Sequence, residues 1–457
     1  MLLYARRIRF LRLDTENIIP FPDIRPNPDF NYVFNRINEL GAFHSLRELR
    51  IHSEPLNCLI PFRLSAPNLE VVEFHTYLKE FPDSFSPSFL RATAFKSPGL
   101  KILKIYTDTF SKATFDVLPD FKNLQHLRMN ITDSDISINF LKNCSTSMTS
   151  LRSLVMCFIR LRFVDDLDRP VSVEASRASL SLSTFRSLSD LDVTGTPQNI
   201  QIILNVIHVP SLVALRLSFC SYDIFDINPF VQSFMEFHRH LLKGRLRSLS
   251  LGASRSVKID LVSYLRPFKA FEQLDTLHID SGLRIPTSIL KSFDLREIEF
   301  LSNLTNLRLA YNDSNGLNNT LSIDALPLFA DLCPKLLHLT IAIYNPDQTA
   351  ITNPLPSGDA MPVNDMRGRS HNLETLAFCW MPQGWEYSGS LAFRFSAFLC
   401  RLFPGLNTVT YASDIGFSHV LVSHTQWMKR VQELLKIHQR NAIMDKAGSI
   451  PTRISCE

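Results

Sequence analysis

The amino-acid sequence predicts an α/β solenoid, with a curved parallel sheet on its concave side and helices and loops on its convex side. Three observations lead to this prediction. Leucine, or another apolar residue, recurs at offsets 0, 3 and 5 along nearly the whole chain. Segments with the apolar periodicity of a helix lie between many of these copies. The chain has 457 residues, 45% of them hydrophobic, so it can bury a large core.

The cleanest copy of the pattern is residues 304–312, which read L-x-x-L-x-L-x-x-N, the leucine-rich-repeat signature. Leu307 and Leu309 alternate and therefore point to one face of a strand. Asn312 has a short polar side chain suited to hydrogen-bonding the backbone where the chain leaves that strand. The fold class is thus a ribonuclease-inhibitor-like leucine-rich-repeat solenoid.

Taken in order, the pattern predicts about fourteen strands at intervals of roughly 23 to 38 residues, against about 20 to 29 residues in regular repeats. The offset-3 residues of the strands are Leu11, Leu49, Val72, Leu103, Leu127, Leu154, Leu191, Leu215, Leu249, Leu277, Leu307, Leu339, Leu376 and Val409. Helices are predicted at residues 28–40, 137–144, 201–208, 228–242, 261–271, 323–332 and 391–403. Residues 81–97, rich in Pro, Ser and Phe, are predicted to be a loop or a broken helix.

The predicted domain organisation is a single solenoid over residues 1–423. Charged or Pro/Asn/Gly-rich stretches predict insertions near residues 160–180 and 345–370. Residues 424–441 have an amphipathic pattern, and we expect them to form a helix that caps the last repeat, because solenoids need a polar-faced end. Residues 442–457 are expected to be a flexible tail.

Composition narrows the function classes. The formal net charge of +4 is too small to indicate nucleic-acid binding by itself. The 8 cysteines form no C-x-x-C pair, which favours free thiols over disulfides or a zinc site. Neither a signal peptide nor an apolar run of membrane-spanning length is recognisable. We therefore expect a monomeric protein of the cytoplasm or nucleus that makes no membrane contact.

Sequence motifs of catalysis are missing. The sequence has no G-x-G-x-x-G, phosphate-binding loop, H-E-x-x-H or G-x-S-x-G motif. His238 and His240 lie two positions apart on a predicted helix, so they do not share a face that could hold a metal. We therefore predict that the protein is not an enzyme and has no catalytic residues, cofactor or metal.

The offset-4 positions lie between the buried leucines and face solvent on the predicted concave side. Six of them are basic, namely Arg12, Arg50, Lys104, Arg128, Arg216 and Arg308. These residues are the candidate partner-binding site, and guanidinium groups would suit an acidic or phosphorylated peptide. The alternative is a solvated sheet face that carries basic residues without a ligand.

Residues 4–14, and the segments 65–70, 97–101 and 121–125 before strands, resemble the repeat region of the divergent F-box/leucine-rich-repeat-like proteins of mushroom-forming fungi. The resemblance covers roughly residues 4–420. It implies a substrate receptor, in which an N-terminal F-box grips the Skp-type adaptor of a cullin–RING ubiquitin ligase and the repeats hold the protein to be ubiquitinated. Only residues 1–7 precede the first repeat, so no F-box residue can be carried over. The alternative is a stand-alone leucine-rich-repeat interaction protein with no link to a ubiquitin ligase.

Overall fold

A computed structural model describes residues 7–14, 43–52, 66–76, 85–109, 111–164, 183–220, 245–253, 257–258, 271–280, 283–284, 302–310, 325–342, 371–380, 389–411 and 421–448. The helices predicted at residues 28–40 and 228–242, the insertion at 345–370 and the turn at Asn312 lie outside the described residues. So does most of the helix predicted at residues 261–271.

The main sheet contains fourteen strands whose spatial order follows the order of the chain. The described strand pairs are parallel and keep one register, in which equivalent repeat positions face each other. The strands are β1 Phe10–Asp14, β2 Glu48–His52, β3 Val71–Thr76, β4 Ile102–Thr109, β5 His126–Ser137, β6 Ser153–Val164, β7 Asp190–Gly195, β8 Ala214–Phe219, β9 Ser248–Ala253, β10 Thr276–Asp280, β11 Asn306–Ala310, β12 His338–Ala342, β13 Thr375–Trp380 and β14 Thr408–Tyr411. Every predicted offset-3 residue lies in one of these strands, so the leucine-rich-repeat fold is confirmed.

Helices connect several of the strands. They are α1 Phe85–Lys96, α2 Lys112–Phe115, α3 Ile138–Ser147, α4 Pro197–Val206, α5 Ala325–Leu332, α6 Gly389–Leu402 and α7 Leu421–Gly448. The segment predicted as loop or broken helix is the helix α1, because its only internal proline, Pro87, lies in the first turn, where a missing N–H costs little. Helix α4 begins earlier than residue 201, because the Thr196 hydroxyl accepts a hydrogen bond from the Asn199 N–H and caps it.

Strands β5 and β6 are longer than the others. Both run for 12 residues, and their pairing continues from His126↔Ser153 to Ser137↔Val164. The start of the insertion predicted near residues 160–180 is therefore strand, because β5 offers a long neighbouring edge for it to pair with. Residues 165–182 lie outside the described part of the chain.

The chain forms two compact units, a division that the repeat pattern does not mark. The first unit comprises Met1–Ser221 and His240–Arg245, and it holds β1–β8 and α1–α4. The second comprises Tyr222–Arg239 and Leu246–Glu457, and it holds β9–β14 and α5–α7.

The core of each unit lies between the sheet and its helices. All the offset-3 residues except Leu11 are buried. In the first unit Phe74 of β3 packs on Phe89 of α1, with ring centroids 5.5 Å apart. In the second unit Phe378 of β13 lies against Phe395 of α6, with centroids 6.0 Å apart. Within the strands, offsets 3 and 5 thus build the hydrophobic core and leave offsets 2, 4 and 6 on the other face of the sheet.

Polar side chains just before the motif connect successive repeats. In four repeats the residue preceding the offset-0 leucine donates a side-chain hydrogen bond to a carbonyl of the previous repeat. Asn68 Nδ2 donates to the His44 carbonyl at 2.7 Å, Asn123 Nδ2 to the Pro98 carbonyl at 2.9 Å, and Asn303 Nδ2 to the Glu272 carbonyl at 3.2 Å. The Ser211 hydroxyl makes the equivalent bond to the Arg186 carbonyl at 2.7 Å. These bonds satisfy carbonyls at the turn that no strand pairing reaches.

Helix α7 lies against β14, the last strand of the sheet. Gln432 Nε2 donates to the Asn407 carbonyl at 2.7 Å, and the Gln432 Oε1 atom accepts from the Val409 N–H. Gln439 Nε2 donates to the Leu406 carbonyl at 2.7 Å. The helix spans Leu421–Gly448 and so exceeds residues 424–441, because residues 442–447 contain no proline or glycine to end it. Residues 449–457 of the predicted tail lie outside the described residues.

Candidate functional site

The even offsets of the strands form a face of the sheet opposite the leucine core, which we call the open face. In β2 the burial alternates, so that Leu49 and Ile51 are buried while Glu48, Arg50 and His52 are partly exposed. The open face therefore displays the side chains at offsets 2, 4 and 6 of each repeat.

On the open face of the first unit, the offset-4 side chains form one unbroken row. The register pairs each member with the next, in the order Arg12, Arg50, Glu73, Lys104, Arg128, Val155, Asp192 and Arg216. Five of the six predicted site residues thus lie side by side with two acidic residues among them. The sixth, Arg308, lies in the second unit between His278 and Thr340 of its own row.

Acidic neighbours offset part of the positive charge in this row. Glu73 Oε2 lies 3.3 Å from Lys104 Nζ and 3.7 Å from Arg50 Nε, so one carboxylate serves two predicted site residues. The hydrogen bond from Arg50 to Glu48 raises the pKa of the Arg50 guanidinium. Arg216 Nη1 lies 3.4 Å from Asp192 Oδ2. The row therefore carries both signs of charge rather than being uniformly basic.

Two guanidinium groups of the open face lie over aromatic rings. Arg50 Cζ is 5.3 Å from the centroid of the Phe10 ring, and Arg128 Cζ is 5.6 Å from the centroid of the Tyr106 ring. Phe10 is 48% exposed, so this apolar ring at the start of the sheet remains open to contact. Cations over ring faces hold the long arginine side chains in one orientation.

A stack of three rings occupies the offset-6 positions of β2, β3 and β4. The His52 and His75 centroids are 4.1 Å apart with their planes at 15°, and the His75 and Tyr106 centroids are 4.1 Å apart at 10°. The register places His52 beside His75 and His75 beside Tyr106. Sequence reasoning limited to offsets 2 and 4 missed this imidazole–phenol stack. Extending the strand alternation by one more position, to offset 6, would have revealed it.

Glu73 connects the charged row to the ring stack. Its Oε1 atom lies 2.8 Å from His75 Nε2, and its side chain is only 13% exposed. Burial alone would raise the pKa of the Glu73 carboxyl, but the hydrogen bond with His75 and the charge and hydrogen bond of Lys104 lower it below its usual value. Glu73 is therefore a fixed, partly buried carboxylate.

The described part of the chain also contains one group of three side chains suited to a metal. One possible ligand atom from each of His52, Glu73 and His75 lies within 4.8 Å of those of the other two. The sequence predicted no metal-ligating residues, since these three are separated along the chain and meet only through the strand register.

The described cysteines are free thiols, and most are held in their protonated form. Burial raises the pKa of the Cys333 thiol to about 12 and the pKa of the Cys144 thiol well above its ordinary value. Burial also raises the pKa of the Cys157 thiol. These groups are poor nucleophiles, because the thiolate is the reactive form.

No family model matches the sequence, and no curated protein matches it. Among solved structures, a chain of the TLR13–ssRNA13 complex is 16% identical with a TM-score of 0.38, and the match covers 78% of this chain and 46% of that one. A leucine-rich-repeat protein of Leptospira interrogans is 15% identical with a TM-score of 0.34, covering 89% and 97%. A chain of the yeast Rad7 and Elc1 complex is 14% identical with a TM-score of 0.34, covering 75% and 72%. The present chain thus spans less than half of the TLR13 chain.

Among the described helices, none combines the length and the apolar character needed to cross a membrane.

Proposed function

We propose that the protein is a non-enzymatic scaffold that binds a protein partner on the open face of the first unit. The observation that carries this proposal is the unbroken offset-4 row across eight adjacent parallel strands, in which seven of the eight side chains are charged. Neighbouring strands are about 4.8 Å apart, so side chains at fixed spacing can follow an extended segment of a partner.

The chemistry of the row favours an acidic or phosphorylated peptide. It carries five cationic residues, Arg12, Arg50, Lys104, Arg128 and Arg216, against the two carboxylates of Glu73 and Asp192. Arg128 is exposed, and its guanidinium is oriented by Tyr106. A planar guanidinium can bind carboxylate or phosphate through two hydrogen bonds. The carboxylates at intervals would fix the register of a partner that carries both signs of charge.

The test is capture of partners by the wild type and by the double variant Lys104→Glu/Arg128→Glu, followed by affinity measurement with the recovered partner. We expect the variant to bind at least about tenfold more weakly. Arg91→Glu, on the exposed surface of α1, is the matched control and should bind like the wild type. Equal affinities of the wild type and the double variant would overturn the assignment of this face.

We further propose, from the resemblance in the repeat region, that the scaffold is the substrate-recognition part of an F-box-type receptor of a cullin–RING ubiquitin ligase. The alternative is a stand-alone interaction protein. A Skp-type adaptor that co-purifies with the complete gene product, together with ubiquitination of the captured partner, would support the receptor. Partner capture without the adaptor would favour the stand-alone protein.

A further inference from the structure

We propose that His52, Glu73 and His75 bind one divalent transition-metal ion of the Zn²⁺ type on the open face of the first unit. The fold brings these ligands together in two ways. Glu73 and His75 are two positions apart on β3 and therefore share a face. His52 is the register partner of His75 on the neighbouring strand β2. Two imidazoles and one carboxylate are a ligand set that Zn²⁺ accepts when one coordination position stays open.

Two of the three ligand atoms are already within about 0.5 Å of the required separation. In a tetrahedral zinc site with bonds of about 2.0 Å, neighbouring ligand atoms lie about 3.3 Å apart. His75 Nε2 and Glu73 Oε1 are 2.8 Å apart and share a proton in a hydrogen bond. A metal ion would take the place of that proton, with the imidazole nitrogen and the carboxylate oxygen each supplying a lone pair.

His52 completes the set through a small movement. The three ligand atoms all lie within 4.8 Å of one another, so closure to a tetrahedral edge needs at most about 1.5 Å. The His52 and His75 rings are now nearly parallel, with planes at 15°. Binding one metal requires the rings to leave this parallel arrangement, so that their nitrogen lone pairs point to one ion, and rotation about the side-chain χ angles can supply this tilt.

The surroundings of Glu73 both support the ligand set and limit its affinity. Lys104 Nζ and Arg50 Nε lie 3.3 Å and 3.7 Å from Glu73 Oε2, the oxygen that does not face His75. They orient the carboxylate, as the outer partners of metal ligands commonly do. Their positive charges also oppose a second cation nearby. The site should therefore bind the metal ion more tightly when Lys104 loses its charge. If Lys104 only stabilised the fold, its loss would weaken metal binding instead.

Three protein ligands leave a coordination position for water or for a side chain of a bound partner. Because the cluster lies on the open face, this position is on the surface to which the proposed function assigns the partner. Metal binding itself does not depend on that function, since it is measured on the protein alone.

The experiment is titration of the untagged full chain with Co²⁺, followed by its visible absorption, and competition with Zn²⁺. We expect one equivalent with tetrahedral Co²⁺ absorption that Zn²⁺ displaces. His52→Phe and Glu73→Gln should each weaken this equivalent at least tenfold, because phenylalanine keeps the ring stack and glutamine keeps a hydrogen bond while neither ligates well. Lys104→Met should tighten it roughly threefold or more.

His126→Ala is the matched control, since His126 is an exposed histidine of the open face on β5 and lies outside the cluster. It should bind Co²⁺ like the wild type. Circular dichroism melts without metal establish that each variant is folded, so a lost equivalent in a folded variant reports ligation. The proposal is overturned if the folded wild type shows no tetrahedral Co²⁺ signal up to millimolar metal, or if His52→Phe and Glu73→Gln bind as tightly as the wild type. Metal binding is measured on the protein without a partner, so a missing Co²⁺ signal does not decide the outcome of the capture experiment, and the two proposals fail separately.

Discussion

At the scale of single residues, His371 shows how a buried polar group fixes its own protonation state. His371 is 5% exposed at the turn before β13. Its Nε2 lies 2.9 Å from the Cys333 carbonyl, which can only accept, and its Nδ1 accepts from the Leu373 N–H at 3.1 Å. The neutral tautomer with a proton on Nε2 satisfies both bonds, whereas a proton on Nδ1 would break the second one. Burial lowers the pKa of His371, although the Cys333 carbonyl partly opposes this.

Stability should therefore fall as the solution becomes mildly acidic. An unfolded histidine takes up a proton as the pH drops through about 6.5, while folded His371 still resists it. The unfolded state then binds more protons, so the free energy of unfolding decreases between about pH 6.5 and the lower folded pKa and levels off below it. The loss is at most about 1.4 kcal/mol for each pH unit between the two pKa values. Urea unfolding of the wild type and His371→Gln at pH 7.5 and 5.5 measures it, and an equal decrease in both proteins would contradict this assignment.

Glu73 lies in β3 and Glu70 directly precedes this strand, but the two should differ in their effect on stability. Glu73 is largely buried between His75, Lys104 and Arg50, whereas Glu70 pairs with Arg47 and Lys101 at the exposed edge of the turn. Removing a buried carboxylate leaves its partners unsatisfied, so Glu73→Ala should cost about 1 to 2 kcal/mol. Exposed ion pairs contribute little, so Glu70→Ala should change the urea midpoint less. If Glu70→Ala lowered the urea midpoint more than Glu73→Ala, the exposed ion pairs of Glu70 would contribute more to stability than the partly buried contacts of Glu73.

At the scale of elements, the turn before several strands is held by a side chain that reaches the previous repeat. Asn123 donates to the Pro98 carbonyl, one repeat earlier. Asn123→Ala removes this bond and should destabilise the first unit by about 0.5 to 1.5 kcal/mol. Lys122→Ala, next to it and also exposed, is the control and should be near neutral. Amide hydrogen exchange in β4 and β5 would locate the effect, and unchanged protection in both strands would contradict it.

The same element shows what sequence could and could not predict. The offsets 0, 3 and 5 are local, so every strand of the main sheet was found from apolar spacing alone. The role of Asn123 depends on a carbonyl 25 residues away, and local spacing carries no information about that contact. The candidate site has the same limit. The offset of Arg128 assigns it to the open face, but its contact with Tyr106 depends on the neighbouring strand. His52 and His75 meet only once the register of β2 and β3 is known.

Helix α7 replaces a further strand at the edge of the second unit's sheet. An uncovered edge exposes unpaired N–H and C=O groups that invite aggregation. Gln432 pairs with the Val409 N–H on β14 and the Asn407 carbonyl just before it, and Gln439 pairs with the Leu406 carbonyl. The variant Gln432→Ala/Gln439→Ala should lower the melting temperature and increase light scattering on heating, whereas Lys436→Ala on the exposed side of the helix should not. Unchanged scattering by the double variant would show that the apolar contacts of Trp427 and Val431 suffice to hold the helix.

At the scale of the whole molecule, the two compact units share the same repeat architecture but differ in the charge of their offset-4 rows. The offset-4 row of the first unit holds seven charged residues, Arg12, Arg50, Glu73, Lys104, Arg128, Asp192 and Arg216. In the second unit the corresponding row reads Ser250, His278, Arg308, Thr340, Ala377 and Thr410, with a single arginine. Both proposed sites lie in the first unit. A destabilising substitution in the second unit should therefore lower the stability of that unit without weakening partner or metal binding.

Leu307→Asp tests this separation. Leu307 is 2% exposed in β11, so the substitution puts a carboxylate into the leucine core, which costs several kcal/mol. In a repeat array each repeat depends mainly on its neighbours, so β10 to β12 should lose amide protection first. Strands β2 to β4 belong to the first unit and should stay protected, with Co²⁺ binding at His52 retained. Hydrogen exchange followed by mass spectrometry measures the protection of the two groups of strands, and Co²⁺ absorption measures the binding. Leu127→Asp in β5 is the reciprocal variant. If Leu307→Asp removed protection from β2 to β4 as fully as from β11, the two units would unfold as one cooperative body, and their separate surfaces would share a single stability.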